Sequence, residues 1–215
     1  MENFLSKNRV NLMGFILGVL IGIILYLFPL ITAFKLILGI VGVVLIFYRA
    51  EFGLYFTVLI LPLVSFRYVI LVFGFTVISF IFKVLTVENF TFKRMPIKYS
   101  ITLFLVPLFF AALTSFTLLQ SIVRLIVYLI AFLFLFISIN LIDSKQKLYY
   151  LIIAVIISAT IVGLYGLYQY KAGIELKEIW IDQEQNPDIQ IRIISTFDNP
   201  NILAEYLILT IPITF

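Results

Sequence analysis

Arg192 is the residue in this chain best placed to do chemistry, because of its neighbours on the C-terminal side. The run 192-RIISTFDNPN-201 sets a guanidinium ahead of Asn199-Pro200-Asn201. Asn199 is a good helix N-cap, and Pro200 suits the first helical position, where no N–H donor is needed. Asn201 and Glu205 then fall in the first turns, where the positive end of a helix favours polar and acidic groups. Spacing alone therefore reads Asn199, Pro200 and Asn201 as a helix start. Arg192 adds something a cap does not require. A helix N-terminus presents unsatisfied N–H groups and about half a positive charge. A guanidinium beside it would complete a compact anion site. At a membrane surface, the natural anion is the phosphate of a lipid.

Other chemistries are closed off. The chain has no Cys and no His, so thiol chemistry is excluded and the commonest general base and metal ligand are missing. The loop 171–200 carries Glu175, Glu178, Asp182, Glu184, Asp188 and Asp198. Their spacing is not that of metal ligands, so neither a metal nor a cofactor is expected. Asp182, Glu184 and Asp188 could pair for acid–base work, but nothing singles them out, and no catalytic residue is assigned. Trp180 reads as an interfacial anchor, and Tyr165, Tyr168, Gln169 and Tyr170 as an aromatic belt. The stretch 189-IQIRIIS-195 alternates apolar and polar, which predicts a short extended segment.

The elements that must position Arg192 are apolar. Of 215 residues, 63% are hydrophobic and only 12% charged, where a soluble domain carries about 25% charged residues. The mean hydropathy is +1.19. This is the composition of an integral membrane protein, in which a net charge of +4 reflects topology and not nucleic-acid binding. The N-terminal run 1-MENFLSKNRV-10 resembles a signal peptide but lacks a cleavage site, so it reads as leading into a retained span. A spanning helix needs about 20 apolar residues. The candidate spans are 10–28, 30–48, 52–66, 68–84, 99–116, 122–141, 148–170 and 201–215.

The expected fold is all-α: a polytopic bundle of about eight transmembrane helices with one longer outer-face loop. Residues 1–170 hold seven helices, 171–200 the outer loop, and 201–215 the start of a further helix. The stretch 52–84 reads as two spans turning at Arg67, because one helix would be about 50 Å long. With two spans and a cytoplasmic N-terminus, Lys7, Arg9, Arg49, Lys83, Lys93, Arg94, Lys98, Lys145 and Lys147 fall inside, nine of fifteen basic residues, as the positive-inside rule requires. Lys35 and Arg124 sit near span ends and can snorkel to the interface. The sequon Asn89-Phe90-Thr91 lands on the inside face and is discounted. The last span is short and ends on Phe215 without a polar flank, which predicts a fragment of a longer protein; a re-entrant segment is the alternative.

The pattern 165-YGLYQY-170, a polar loop, then 192-RIISTFDNPNILAEYLILTIP-212 resembles the O-antigen ligase and O-antigen polymerase superfamily of multi-pass bacterial membrane proteins. The arginine, the Ser-Thr-Phe, the Asn-Pro-Asn and the apolar helix with an early Ala match in order and spacing, over about fifty of the 215 residues. The resemblance implies transfer or polymerisation of glycans carried on undecaprenyl pyrophosphate, at the outer face of the plasma membrane. An acceptor hydroxyl of a glycan or lipid attacks the anomeric carbon, and the lipid pyrophosphate leaves. It also implies that Arg192 binds that pyrophosphate, with neither nucleotide sugar nor metal required. The implied partners are the lipid-linked glycan, its acceptor, membrane lipids and a C-terminal portion of the protein. The family carries a second outer loop with another arginine and usually a histidine, and this sequence shows neither loop nor histidine. The resemblance thus implies half a site, inactive alone. The competing class is a transporter or permease subunit. It expects ionisable groups at mid-membrane, whereas here they cluster at span ends.

Overall fold

The computed structural model describes residues 15, 18–19, 21–173 and 192–214. Among them the only regular structure is helical. The chain divides into two compact units, one ending at Tyr48 and the other starting at Arg49.

In the first unit, residues 21–27 are helical, the chain breaks at Phe28-Pro29, and α1 runs Leu30–Tyr48. Pro29 starts the new helix, its carbonyl accepting from the Ala33 N–H at 2.9 Å.

The second unit opens with a helical hairpin, α2 (Ala50–Ile60) and α3 (Phe66–Thr86). The expected pair of helices is there, but the expected turn at Arg67 and span 52–66 are both corrected. The turn covers residues 61–64, and Arg67 lies in the first turn of α3. Pro62 is the reason. It has no N–H to offer Val58, and its ring crowds that carbonyl. The N–H groups of Leu63 and Val64 both turn back to the Ile60 carbonyl, at 2.9 and 3.1 Å. The two helices cross closely at Gly53, where an added Cβ would stand 2.8 Å from Thr76 Cβ.

A loop then leads to α4 (Lys98–Leu113), α5 (Leu118–Leu141) and α6 (Lys145–Ala172). The hinge expected at 117–121 lies instead at 114–117, so α5 starts four residues earlier than the predicted 122 and α4 ends before the predicted 116. Hydroxyls hold this turn: Ser121 Oγ donates to Ser115 Oγ at 2.8 Å, and the Thr117 N–H donates to the same oxygen at 3.2 Å. The final element is α7 (Pro200–Thr210), followed by a 3-10 turn, Ile211–Thr214.

Among the described residues four helices, α1, α3, α5 and α6, are long and apolar enough to cross a membrane; α2, α4 and α7 are apolar but shorter. The core of the second unit is small: Ala50, Leu54, Phe73, Phe80, Ile137 and Leu141. Outside it, large apolar side chains lie open, among them Leu103 (76% exposed), Phe110 (61%) and Leu119 (77%). Apolar exposure on this scale fits hydrocarbon and not water.

Candidate functional site

α6 organises the second unit. Along most of its length it carries large apolar residues, but one stripe is small or polar: Ala154, Ser158, Val162, Gly166 and Gln169, all buried. Steps of four and three keep these residues on one face. The described residues that precede α7, from Arg192 on, pack onto that face.

The contact centres on Ser195. The Gln169 side chain clasps its main chain from both sides: the Ser195 N–H donates to Gln169 Oε1 at 2.7 Å, and Gln169 Nε2 donates to the Ser195 carbonyl at 2.9 Å. Ser195 Oγ donates to the Val162 carbonyl at 2.6 Å. Ser195 has φ +52°, a left-handed conformation uncommon outside glycine. Three hydrogen bonds and near-complete burial, 4% exposed, hold it there. Next to it, Ile193 lies over Gly166, where a Cβ would come within 3.1 Å of Ile193 Cγ2. The glycine lets the loop approach the helix. Beyond Ser195, the Phe197 N–H returns to the Ile194 carbonyl at 3.0 Å, and the Phe197 ring packs on Tyr206 of α7 at 5.4 Å between centroids.

Asn199 caps α7: its Oδ1 accepts from the Asn201 N–H at 2.8 Å, and its carbonyl accepts from the Leu203 N–H at 3.2 Å. Pro200 is the first helical residue and has no N–H. Asn199, Pro200 and Asn201 therefore use most of the helix tip on the helix itself. Any anion chemistry here falls to Arg192. That residue is half-buried, three positions before Ser195, on a stretch without regular structure; three extended residues span at most about 11 Å. Among the described residues it forms no salt bridge. Residues 192–194 form no strand. The rest of the predicted extended segment lies outside the described residues, as do Trp180 and all the loop carboxylates except Asp198.

Reading 165–170 as a uniform aromatic belt needs correcting at one position. Tyr165, Tyr168 and Tyr170 are exposed, but Gln169 is buried at 8% exposure and faces the loop. In the sequence Gln169 reads as part of an aromatic belt and Ser195 has no role. The signal was the small-and-polar stripe on α6, which is not the pattern of a lipid-facing helix.

The opposite end of α6 carries charge. Glu51, 7% exposed, accepts from Lys147 Nζ at 2.6 Å and from Lys83 Nζ at 3.2 Å. Lys147 also donates to the Leu141 carbonyl at 3.3 Å and to the Asp143 carboxylate at 2.9 Å. That bond from Lys147 holds the Asp143 carboxyl below its ordinary pKa. Nearby, the Lys93 N–H donates to Asn140 Oδ1 at 3.0 Å, and Lys93 Nζ donates to the Ile142 carbonyl at 2.9 Å. One carboxylate thus joins α2, α3 and α6, and through Lys147 reaches the end of α5. From Lys147 to Gln169 the helix rises about 33 Å, close to the roughly 30 Å of bilayer hydrocarbon. Among the described residues no group of acidic side chains could hold a metal ion.

Comparison with known families, curated proteins and solved structures finds no match.

Proposed function

We propose that this chain is a multi-pass membrane protein of cell-surface polysaccharide assembly, of the O-antigen ligase and polymerase kind. It acts on glycans carried on undecaprenyl pyrophosphate at the outer face of the plasma membrane. Arg192 binds the pyrophosphate, and the acceptor is a glycan or a lipid. The observation that supports this reading most is the clasp of Ser195 by Gln169. It fixes the segment bearing Arg192 at the end of α6 far from the lysine cluster, one hydrocarbon thickness away. A guanidinium held there is preorganised to stabilise charge developing on a leaving diphosphate, an effect worth about 10²–10³ in rate for one donor.

The test is glycan assembly in cells carrying Arg192→Ala and Arg192→Lys, with membrane levels of the protein measured alongside. Both variants should reach the membrane. Alanine should lower polysaccharide transfer by about 10²-fold, and lysine should also be impaired, since a point charge does not reproduce a bidentate fork. Normal assembly with both would sink the diphosphate role. Sidedness has its own test. Because the chain has no Cys, Thr196→Cys at an exposed position gives a single thiol, which an impermeant reagent should label from outside intact cells.

A further inference from the structure

The lysine-rich end of the second unit holds more positive charge than its carboxylates consume. Lys83 and Lys147 are spent on Glu51, Lys147 also on Asp143, and Lys93 on the Ile142 carbonyl. Arg94, Lys98 and Lys145 remain, against one further carboxylate, the exposed Glu88 on the loop before them. All three are exposed, and none forms a salt bridge among the described residues. They belong to one region, because the two bonds from Lys93 fasten the 93-KRMPIK-98 loop to the end of α5 at Asn140 and Ile142. Arg94 is the next residue along, and Lys145 follows Ile142 by three.

Two further features bear on what would cover this patch. Lys98 and Lys145 are the first residues of α4 and α6, and neither helix has an acidic residue in its first turn. Cations there oppose the helix dipole; Asp143, just before the Ser144 cap, offsets this at α6, whereas no acid immediately precedes α4, so an anion over Lys98 would be favourable. Exposed aromatic side chains lie close by in the chain, Phe92 (56%), Tyr99 (75%) and Tyr149 (61%), with the Lys98 ammonium 4.8 Å above the Tyr99 ring. Aromatic rings mixed with cations at the end of apolar helices mark headgroup depth.

We infer that Arg94, Lys98 and Lys145 form a docking surface for the phosphates of anionic phospholipids in the leaflet that this end meets. The inference does not depend on the glycan reading, because it concerns the opposite end of α6.

The full chain is placed in nanodiscs of phosphatidylcholine doped with phosphatidylglycerol, and the lipid retained after transfer to detergent is read by native mass spectrometry. The expected result is preferential retention of phosphatidylglycerol, weakened about fivefold for each cation removed in the triple variant Arg94→Gln, Lys98→Gln, Lys145→Gln. The charge-keeping set Arg94→Lys, Lys98→Arg, Lys145→Arg should retain it. Salt at 1 M, where screening acts within about 3 Å, should abolish the preference. Undiminished retention in the glutamine variant, or a preference that survives high salt, would overturn the inference. So would displacement of phosphatidylglycerol by inorganic phosphate at matched concentration, which would indicate a site for a soluble anion. Should the triple variant not fold, the three single glutamine variants decide the matter: a loss in each supports the surface, and no loss in any refutes it.

Discussion

The two ends of α6 perform the same task with different chemistry. At one end a buried carboxylate gathers two lysines from separate helices. At the other a neutral amide holds a loop by the backbone of one neutral residue, Ser195. A buried charge left alone is far more costly than a buried amide left alone, so the Glu51 end tolerates the loss of a partner poorly. The Gln169 end keeps a segment in a strained conformation and depends on geometry: an amide presents one donor and one acceptor, and the Ser195 main chain needs one of each. Charge suits the end crowded with lysines, where several partners can share one acid. Amide pairing suits a place where the loop must be set at one height and in one orientation.

This contrast can be broken in order of expected effect. Glu51→Leu takes the carboxylate from two part-buried ammonium groups, leaving Lys147 with Asp143 and the Leu141 carbonyl, and should destabilise the protein by about 3 kcal/mol, read as denaturant unfolding in detergent. Gln169→Leu leaves the Ser195 N–H and carbonyl buried without partners, at about 1–3 kcal/mol each. Its loss should appear locally, as faster amide exchange over residues 192–199 while the Glu51 end keeps its protection. If both ends loosen together, the two clasps are one cooperative unit and the contrast fails. Gly53→Ala, two residues along α2 from Glu51, drives a methyl into Thr76 and should cost about 1–3 kcal/mol by parting α2 from α3.

Asp143→Asn is the smallest change. Asp143 is half exposed, and removing its pair with Lys147 should move stability by less than about 1 kcal/mol. Its pH signature has a defined sign. The folded carboxyl is held below the ordinary carboxylate pKa of about 4, so its stabilisation is complete above that value. It disappears as pH falls through the lower folded value. In the asparagine variant the acid limb of the stability curve should be shallower by this contribution.

Much of the architecture is legible in the residues. Apolar run length places α1 at residues 30–48 without error, and Pro29 marks its start. The hairpin follows from charge and length, but its turn does not. Looking for a charge at the break points to Arg67, whereas the missing N–H of Pro62 puts the break five residues earlier. The helix start at Asn199-Pro200 is readable because capping is local chemistry. The Ser195 clasp is not, because it joins residues 26 apart and depends on which face of α6 turns inward. Glu51 is hidden for the same reason: 49-RAE-51 looks like a hinge, and its lysine partners lie 32 and 96 residues away.

The short α2 has one more implication. Because Leu63 turns back to Ile60, the Leu59 carbonyl is left to accept a proton from Ser158 Oγ of α6, at 2.8 Å. A single hydroxyl on a neighbouring helix thus lets the backbone reverse without calling on solvent for that carbonyl. Pro62 opens the helix there, and the Ser158 hydroxyl closes a carbonyl that the break leaves without its own N–H.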